Sequence, residues 1–371
     1  YPDLVDAHAA LCTVSDPAQI VSFGGDAVWG LKAFFDPSIK GGNYSAGAAG
    51  YAEAMADIGK IFGVVGALQA AFIANSTNPA WPATSAAPDA LKAAIPSRSA
   101  LVLVALMAGL PLQSAHFDAT STPPGATPLQ ALGAQTAVFP AFAALENIAT
   151  AAALGVLVLY DLELQAGGQA FDNSTTNYAE RLAEDQFIWV SALSGKSATD
   201  AMLAYVAAYP RVKGNPAAIA KLQTLVSHTG KVDKPSILFK GTSDPATLAG
   251  IQQSLADRYA AHHAEKWAAA KKAGVRTKPA YNQLVLWNFP PEKYMKFTAA
   301  GSPDTSIPAA TGTNHCNFSV SQYLAIADML AYAAENGKNL SGGALLTKLR
   351  KAGNMTFDRG YTAPRLRAIG G

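Results

Sequence analysis

The sequence predicts an α/β protein in which a doubly wound parallel sheet is interrupted by a large helical insertion. Short apolar segments typical of buried strands occur near both ends of the chain, and from Lys234 onward strand-like and helix-like segments alternate. Residues 17–230 instead show helical patterns rich in alanine, without the alternating apolar positions of strands. We therefore assign residues 1–16 and 231–371 to a core domain and residues 17–230 to a helical cap.

We predict the individual helices and strands from the spacing of apolar residues and from the Gly, Pro and Ser residues that separate them. In the core domain the predicted strands and helices are, in order, strand Ala7–Val14, strand Pro235–Lys240, helix Thr247–Gly274, strands Gln283–Asn288 and Tyr294–Ala299, and helix Ser321–Asn336. In the cap the predicted helices are Gly25–Phe35, Ala48–Asn75, Ser97–Gly109, Pro128–Leu164, Tyr178–Ser194, Ala198–Tyr209 and Pro216–His228.

The composition excludes several classes of protein. Half of the 371 residues are apolar and 15% are charged, which indicates a substantial buried core. The formal net charge of +2 and the lack of a Lys/Arg run argue against nucleic acid as a partner. Ala100–Leu112 is too short to cross a membrane and Ala141–Tyr160 carries Glu146 and Asn147, so we expect no membrane span.

Glycosylation motifs and the cysteine count bear on the compartment. Six Asn-x-Ser/Thr sequons exceed what the asparagine content leads one to expect by chance, although a composition rich in Ser and Thr also produces them. The excess favours a secreted, extracellular glycoprotein. The candidate sites are Asn43, Asn75, Asn173, Asn339 and Asn354. We expect the sixth, Asn317, which lies two residues from His315, to carry no sugar or one that is turned away from the pocket. The two cysteines allow one intramolecular pair.

Two turns carry side chains suited to catalysis. Asp244 follows a strand in a Gly-Thr-Ser-Asp-Pro turn, and His315 lies on a Thr-Asn-His-Cys turn before a helix. An aspartate can accept the Nδ1 hydrogen of a histidine, which then acts as a general base. Taken singly, Asp244 better suits an Asx turn or a helix cap, and His315 better suits a solvated loop. Their order and their shared strand–turn context favour a catalytic pair.

These turns are similar to those of a known family. Gly241–Pro245, the segment Asn314–Phe318 (Asn-His-Cys-Asn-Phe) and the helix after it resemble the C-terminal part of secreted α/β-hydrolases, whose catalytic histidine stands in a G-H-C-x-F-type motif. Tyr1–Cys12 resembles the segment after their nucleophile elbow, and Phe171–Tyr178 is weakly similar to part of their cap. Asn314 replaces the glycine that usually precedes the histidine.

The resemblance implies parts that this sequence lacks. No G-x-S-x-G elbow occurs in the 371 residues, so a serine nucleophile is expected about ten residues before Tyr1, on an N-terminal companion segment or chain separated by cleavage or truncation. The resemblance also implies that Cys12 and Cys316 lie at one edge of the sheet, where they could form a disulfide. Two free buried thiols are the alternative.

Other candidate residues carry weaker signals. Ser45 lies in Asn-Tyr-Ser-Ala-Gly, the nearest approach to an elbow, but asparagine replaces the first glycine and no strand precedes it. His262 and His263 are adjacent on a helix, so their side chains diverge. The two cysteines and scattered histidines show no metal-ligand spacing, and we predict neither a metal nor a cofactor.

The predicted function is hydrolysis of a carboxylic ester by an absent serine, with His315 as base and Asp244 orienting it. The substrate is a small-molecule or polymeric ester. Aromatic residues of the cap suggest an apolar pocket, or simply form the cap core: Trp29, Phe34, Phe35, Phe139, Phe142 and Trp189. A peptidase or lactonase of the same fold, or a non-catalytic hydrolase-like binding protein, is the alternative.

Overall fold

The structure is a computed structural model that describes residues 4–225 and 229–364. Within these residues the chain divides into two compact units. Unit 1 comprises residues 4–16, 229–291 and 309–364, and unit 2 comprises residues 17–225 and 292–308. The strands, all in unit 1, are β1 (His8–Leu11), β2 (Ser236–Gly241), β3 (Gln283–Asn288) and β4 (Met355–Thr356).

The helices of unit 2 are α1 (Pro17–Phe34), α2 (Gly47–Ala74), α3 (Asp89–Ala94), α4 (Ser97–Met107), α5 (Pro128–Gly133), α6 (Phe139–Ala166), α7 (Tyr178–Arg181), α8 (Ala183–Ile188), α9 (Lys196–Ala208) and α10 (Pro216–Gln223). A π-helix, Ala134–Val138, joins α5 to α6. The helices of unit 1 are α11 (Ala249–Lys272), α12 (Val320–Asn336) and α13 (Gly342–Ala352).

The sheet of unit 1 is small, mixed and open. Its strand order is β1-β2-β3-β4; β1, β2 and β3 are parallel, and β4 runs antiparallel to β3. In the register, Ala10 pairs with Leu238 and Leu238 with Val285. The architecture is therefore α/β, as the strand–helix alternation predicts, with four described strands rather than an extensive doubly wound sheet.

Helices cover both faces of this sheet. Ile237 and Phe239 of β2 pack with Ile326 of α12 and Leu349 of α13, whereas Leu238 packs with α11 residues on the opposite face. All six residues of β2 are buried, which is typical of a central parallel strand covered on both faces, and its middle residues, Ile237 to Phe239, are apolar. The three parallel strands thus end together at one edge, between two layers of helix.

Unit 2 is built around α6. This helix packs against α1, α2, α4 and α10. Gly155 of α6 faces Gly24 of α1: an added Cβ at Gly155 would lie 2.8 Å from the backbone of Gly24, so neither position has room for a side chain. Close to this contact the buried carboxylate of Asp26 accepts hydrogen bonds from Tyr178 and Arg181, which fix the α7 segment to α1.

Two helical stretches of unit 2 meet the length and apolarity needed to cross a membrane, among the residues that the structure describes. They are Gly47–Ala74 and Pro128–Ala166, and the second includes α5, the π-helix and α6. Core helices of soluble proteins satisfy the same criterion, and 56% of the Pro128–Ala166 window is buried inside the protein. The criterion alone is therefore weak evidence for a membrane span.

Several predicted elements differ from those observed. Tyr294–Ala299 is not a strand: it belongs to unit 2, and its sheet-like contact within the described residues is an isolated bridge between Phe297 and Pro303. The helix predicted from Gly25 begins at Pro17, and the one predicted over Tyr178–Ser194 is broken into α7 and α8. Helix α13 and strand β4 were not predicted. The predicted end of the Pro216–His228 helix falls outside the described residues.

Candidate active site at the carboxyl edge of the sheet

The candidate site lies where the parallel strands of unit 1 end. Cys12 directly follows β1, and Asp244 lies three residues after β2. The His315 turn reaches the same edge, because Thr313 makes an isolated parallel bridge with Ser243. In open α/β sheets, ligands and catalytic groups collect outside the carboxyl ends of the strands.

His315 and Asp244 are in direct contact. His315 Nδ1 lies 3.2 Å from each carboxylate oxygen of Asp244. An ionised carboxylate can only accept, so Nδ1 carries the proton and Nε2 keeps its lone pair. Asp244 is 1% exposed, whereas the His315 side chain is 45% exposed. The arrangement holds a histidine in the tautomer of a general base, with solvent access to the ring.

Asp244 also closes its own turn. Its Oδ1 accepts the backbone N–H groups of Ala246 and Thr247 at 2.8 Å, and its Oδ2 accepts the Thr247 hydroxyl at 2.9 Å. Burial raises the pKa of this carboxyl, but the hydrogen bonds from His315 and from the turn outweigh burial and bring it below its usual range. The Asx-turn role and the histidine contact therefore coexist in one residue.

The same contact changes the basicity of the histidine. The hydrogen bond to Asp244 raises the pKa of His315, while partial desolvation and the nearby Lys240 oppose the rise. Because the raised value exceeds the ordinary 6.5, the neutral ring needed by a base forms only at a higher pH than in a solvated histidine.

The turn that carries His315 depends on unusual backbone angles. Asn314 and Cys316 have φ of 61° and 49°, and Gly312 has φ of 91°. A Cβ at Gly312 would lie 2.6 Å from the carbonyl oxygen of Phe289, so this position requires glycine. The Asn317 side chain donates to the carbonyl of Ala310 at 2.9 Å and closes the turn.

A disulfide flanks the pair. Cys12 and Cys316 are bonded, with Cα atoms 5.8 Å apart. The backbone N–H of Cys316 donates to Asp244 Oδ2 at 3.2 Å, so the bonded cysteine and the carboxylate position the histidine from both sides. The bond joins the end of β1 to the His315 turn.

The same four residues also meet the distance requirement for a metal site. One potential ligand atom from each of Cys12, Asp244, His315 and Cys316 lies within 4.8 Å of the others. Thiolates rather than disulfide sulfurs are the metal ligands. Metal binding through the cysteines and the disulfide therefore exclude each other, and the described geometry is that of the disulfide.

Lys240 is a site residue that the sequence reasoning missed. Its side chain is fully buried, and Nζ donates to the carbonyl oxygens of Thr13 at 3.0 Å and Leu248 at 3.3 Å. Burial lowers its pKa to about 7, although Asp244 opposes the decrease. A lysine within an otherwise apolar buried strand is the signal that could have identified it.

Other candidates lie elsewhere. Ser45 is on the loop before α2, and its hydroxyl donates to Glu53 at 2.9 Å; the element before this loop is helix α1 rather than a strand. His262 lies on α11 and reaches Asp233 at 3.4 Å. His263, also on α11, places Nε2 2.9 Å from the carbonyl oxygen of Pro279.

The candidate glycosylation sites differ in accessibility. Asn43, Asn75 and Asn354 are exposed. The buried amide of Asn173 donates to Tyr178, and the Asn339 amide donates to the carbonyl oxygens of Ser236 and Asn282. A sugar on Asn173 or Asn339 would require these hydrogen bonds to break, whereas the other three asparagines are exposed.

Comparison with known proteins leaves the chain without a family assignment: no family model, no curated protein and no solved structure matches it.

Proposed function

We propose that this chain contributes the acid and the base of a serine-dependent carboxylic ester hydrolase. The observation that carries the proposal is the contact between His315 Nδ1 and the buried Asp244 carboxylate at the carboxyl edge of parallel strands. A neutral imidazole held in this tautomer can accept a hydroxyl proton at Nε2. The resemblance of both turns to those of secreted α/β-hydrolases supports the same reaction class.

In the proposed reaction a serine hydroxyl attacks the ester carbonyl while His315 takes its proton. The imidazolium is stabilised by Asp244 and then protonates the leaving alkoxide, which releases the alcohol and leaves an acyl-serine. Water, deprotonated by His315, then attacks the acyl-serine carbonyl; the bond to the serine oxygen breaks, the acid is released, and the imidazolium returns its proton to the serine oxygen. The serine is proposed to lie on a companion segment outside these 371 residues.

A secreted glycoprotein is the proposed setting. A disulfide between Cys12 and Cys316 suits an oxidising compartment. Three exposed sequons suit glycosylation in the secretory pathway.

The test is fluorophosphonate labelling of the intact native protein, followed by mapping of the modified peptide. We expect the label on a serine outside these 371 residues, and no label after His315→Ala. A fully active His315→Ala protein contradicts the assignment of the base. No label on folded wild-type protein favours the alternative, a non-catalytic hydrolase-like binding protein.

A further inference from the structure

Unit 2 contains a large cavity that the proposed reaction does not use in any step. Its volume is about 1140 Å³, and its walls come from the C-terminal half of α2, the α5–π-helix–α6 segment, and the loops around residues 117–126 and 297–305. Pockets for small molecules usually measure about 300–1000 Å³. All lining residues belong to unit 2, so the cavity is complete within one compact unit.

Five phenylalanines form the apolar wall of this cavity: Phe72, Phe117, Phe139, Phe142 and Phe297. Their rings contact one another. Phe142 stacks on Phe117 with centroids 5.1 Å apart and meets Phe72 edge-on at 5.3 Å, and Phe139 lies 6.0 Å from Phe297. A wall of aromatic rings favours a ligand that is itself aromatic and apolar, because ring–ring contacts add to the burial of apolar area.

The charges around the cavity restrict what it can hold. Among the described residues that line it, Glu146 is the only charged one, and none is Lys, Arg or His. Glu146 is held in place by the Ser114 hydroxyl at 2.6 Å and by His116 Nδ1 at 2.5 Å. His116, the partner of this carboxylate, does not line the cavity, and the described lining offers no Lys or Arg that could bind an anion; both features disfavour phosphorylated, sulfonated and carboxylate ligands.

The mouth of the cavity carries exposed apolar groups. None of the residues of α5 is buried, and Leu129, which lines the cavity, is 79% exposed. A capping box between Thr127 and Gln130 holds this short helix in place. The π-helix after α5 changes the helical register at the cavity wall, and such distortions recur at functional sites. Exposed leucines at an aromatic cavity gain contacts when an apolar ligand enters.

From these observations we infer that unit 2 binds an uncharged molecule with an aromatic, apolar body in this phenylalanine-lined cavity. The cavity volume limits the size of the ligand, and the phenylalanine rings favour an aromatic one. The Glu146 carboxylate disfavours an anion. The inference rests on unit 2 alone and is independent of the ester hydrolase proposal, which rests on unit 1.

The test compares two fluorescent probes that share one skeleton. N-phenyl-1-naphthylamine is neutral, and 8-anilinonaphthalene-1-sulfonate carries the same rings with a sulfonate. We expect saturable fluorescence enhancement with the neutral probe and at least about tenfold weaker binding of the sulfonate. In Glu146→Gln the difference between the probes should narrow to about threefold or less.

A second experiment tests whether the probe binds in this cavity, by placing a large side chain inside it and, as a control, outside it. Ala149 of α6 lines the cavity and Ala153, one turn later, does not; both are partly buried. Ala149→Trp should weaken binding of the neutral probe by about tenfold or more, and the matched Ala153→Trp by no more than about twofold. Circular dichroism confirms that each variant is folded.

The inference is overturned if the wild-type protein shows no saturable binding of the neutral probe, or if folded Ala149→Trp binds it as well as Ala153→Trp does. Equal affinity for the two probes overturns the charge argument in particular. Repeating the titration with His315→Ala should change nothing, so failure of the cavity inference and failure of the hydrolase proposal are distinguishable.

Discussion

At the scale of single residues, Asp244 joins a structural role to a proposed catalytic one. Its carboxylate closes a turn through Ala246 and Thr247 and also holds the tautomer of His315. Replacement by alanine would remove both the turn hydrogen bonds and the contact with His315, so the effects of the two losses could not be separated. Asparagine keeps the Oδ1 acceptor for the turn but presents no carboxylate to the histidine.

We predict that Asp244→Asn, in the protein that includes the nucleophile, lowers kcat for ester hydrolysis by about 10³–10⁴-fold. Because the amide NH₂ replaces the acceptor of the Cys316 N–H and the Thr247 hydroxyl, we also expect a loss of stability of about 1–3 kcal/mol. Because the hydrogen bond to Asp244 raises the pKa of His315, its loss should also move the acidic limb of the pH–rate profile to lower pH. Steady-state kinetics between pH 5 and 9 measures both effects. An acidic limb that stays in place would show that Asp244 does not tune the base.

Lys240 provides a second prediction at this scale. Its pKa is about 7 in the folded protein and near 10.5 when unfolded, so the unfolded chain binds more protons between these values. The free energy of unfolding contributed by this residue therefore rises from pH 7 to pH 10, and falls again as the pH returns to 7.

Lys240→Met should remove this pH dependence, because methionine fills the same buried space without a titrating group. Urea unfolding at pH 7, 8, 9 and 10 measures it: the stability of wild type relative to Lys240→Met should increase with pH. Lys240→Arg is a control with a permanent charge: because the buried guanidinium cannot lose its proton, we expect this variant to be the least stable of the three proteins at every pH. A pH-independent difference between wild type and Lys240→Met would refute the lowered pKa.

At the scale of elements, glycines show where helices must touch. Gly155 of α6 meets the backbone of Gly24 of α1, whereas Gly63 on the exposed face of α2 has no atom within 4 Å of an added Cβ. We predict that Gly155→Ala destabilises the protein by about 1–3 kcal/mol through overpacking. Gly63→Ala should instead stabilise it by about 0.5–1 kcal/mol, because alanine restricts the unfolded chain and favours helix. Thermal unfolding distinguishes the two, and equal effects would mean that α1 and α6 are not in close contact.

The elements predicted correctly from sequence are those whose pattern is local. The strand Gln283–Asn288 is observed with the predicted bounds, and the helix predicted from Ser321 ends at Asn336 with Gly337 in the left-handed conformation. The Tyr294–Ala299 prediction was wrong because aromatic and apolar residues there serve another purpose: Phe297 lines the cavity of unit 2, and Tyr294 donates to the carbonyl of Ser114. Alternating apolar character does not reveal whether a partner strand exists.

At the scale of the whole molecule, the candidate site depends on contacts that no local pattern encodes. The order of Asp244 and His315 and their shared strand–turn context predicted a pair, but their 3.2 Å separation is seen only in the fold, where Ser243 and Thr313 form a parallel bridge beside them. The burial of Lys240 and the assembly of five phenylalanines into one wall depend likewise on residues distant in sequence. Residue types were therefore predictable from sequence, whereas their mutual geometry required the fold.

The disulfide gives the whole-molecule prediction. It joins residues 304 positions apart and so constrains most of the chain in the unfolded state. In the chain-entropy model a loop of this length corresponds to about 6 kcal/mol of stability, before any strain in the native state is subtracted. We predict that the double variant Cys12→Ala with Cys316→Ala unfolds at markedly lower urea concentration than oxidised wild type, and that a reducing agent lowers the stability of wild type alone.

The double cysteine variant also shows whether the disulfide contributes to the geometry of the site as well as to stability. The hydrogen bond from the backbone N–H of Cys316 to Asp244 does not involve the sulfurs, whereas the disulfide covalently ties the His315 turn to the end of β1. In the double variant we therefore expect a lower kcat for ester hydrolysis even at low temperature and without urea, where the protein is fully folded. If kcat is unchanged while stability is reduced, the disulfide stabilises the protein by restricting the unfolded chain and does not position the His315 turn for catalysis. Titration of wild type with a thiol reagent in denaturant is the control: reactive thiols before reduction would show that the bond had not formed.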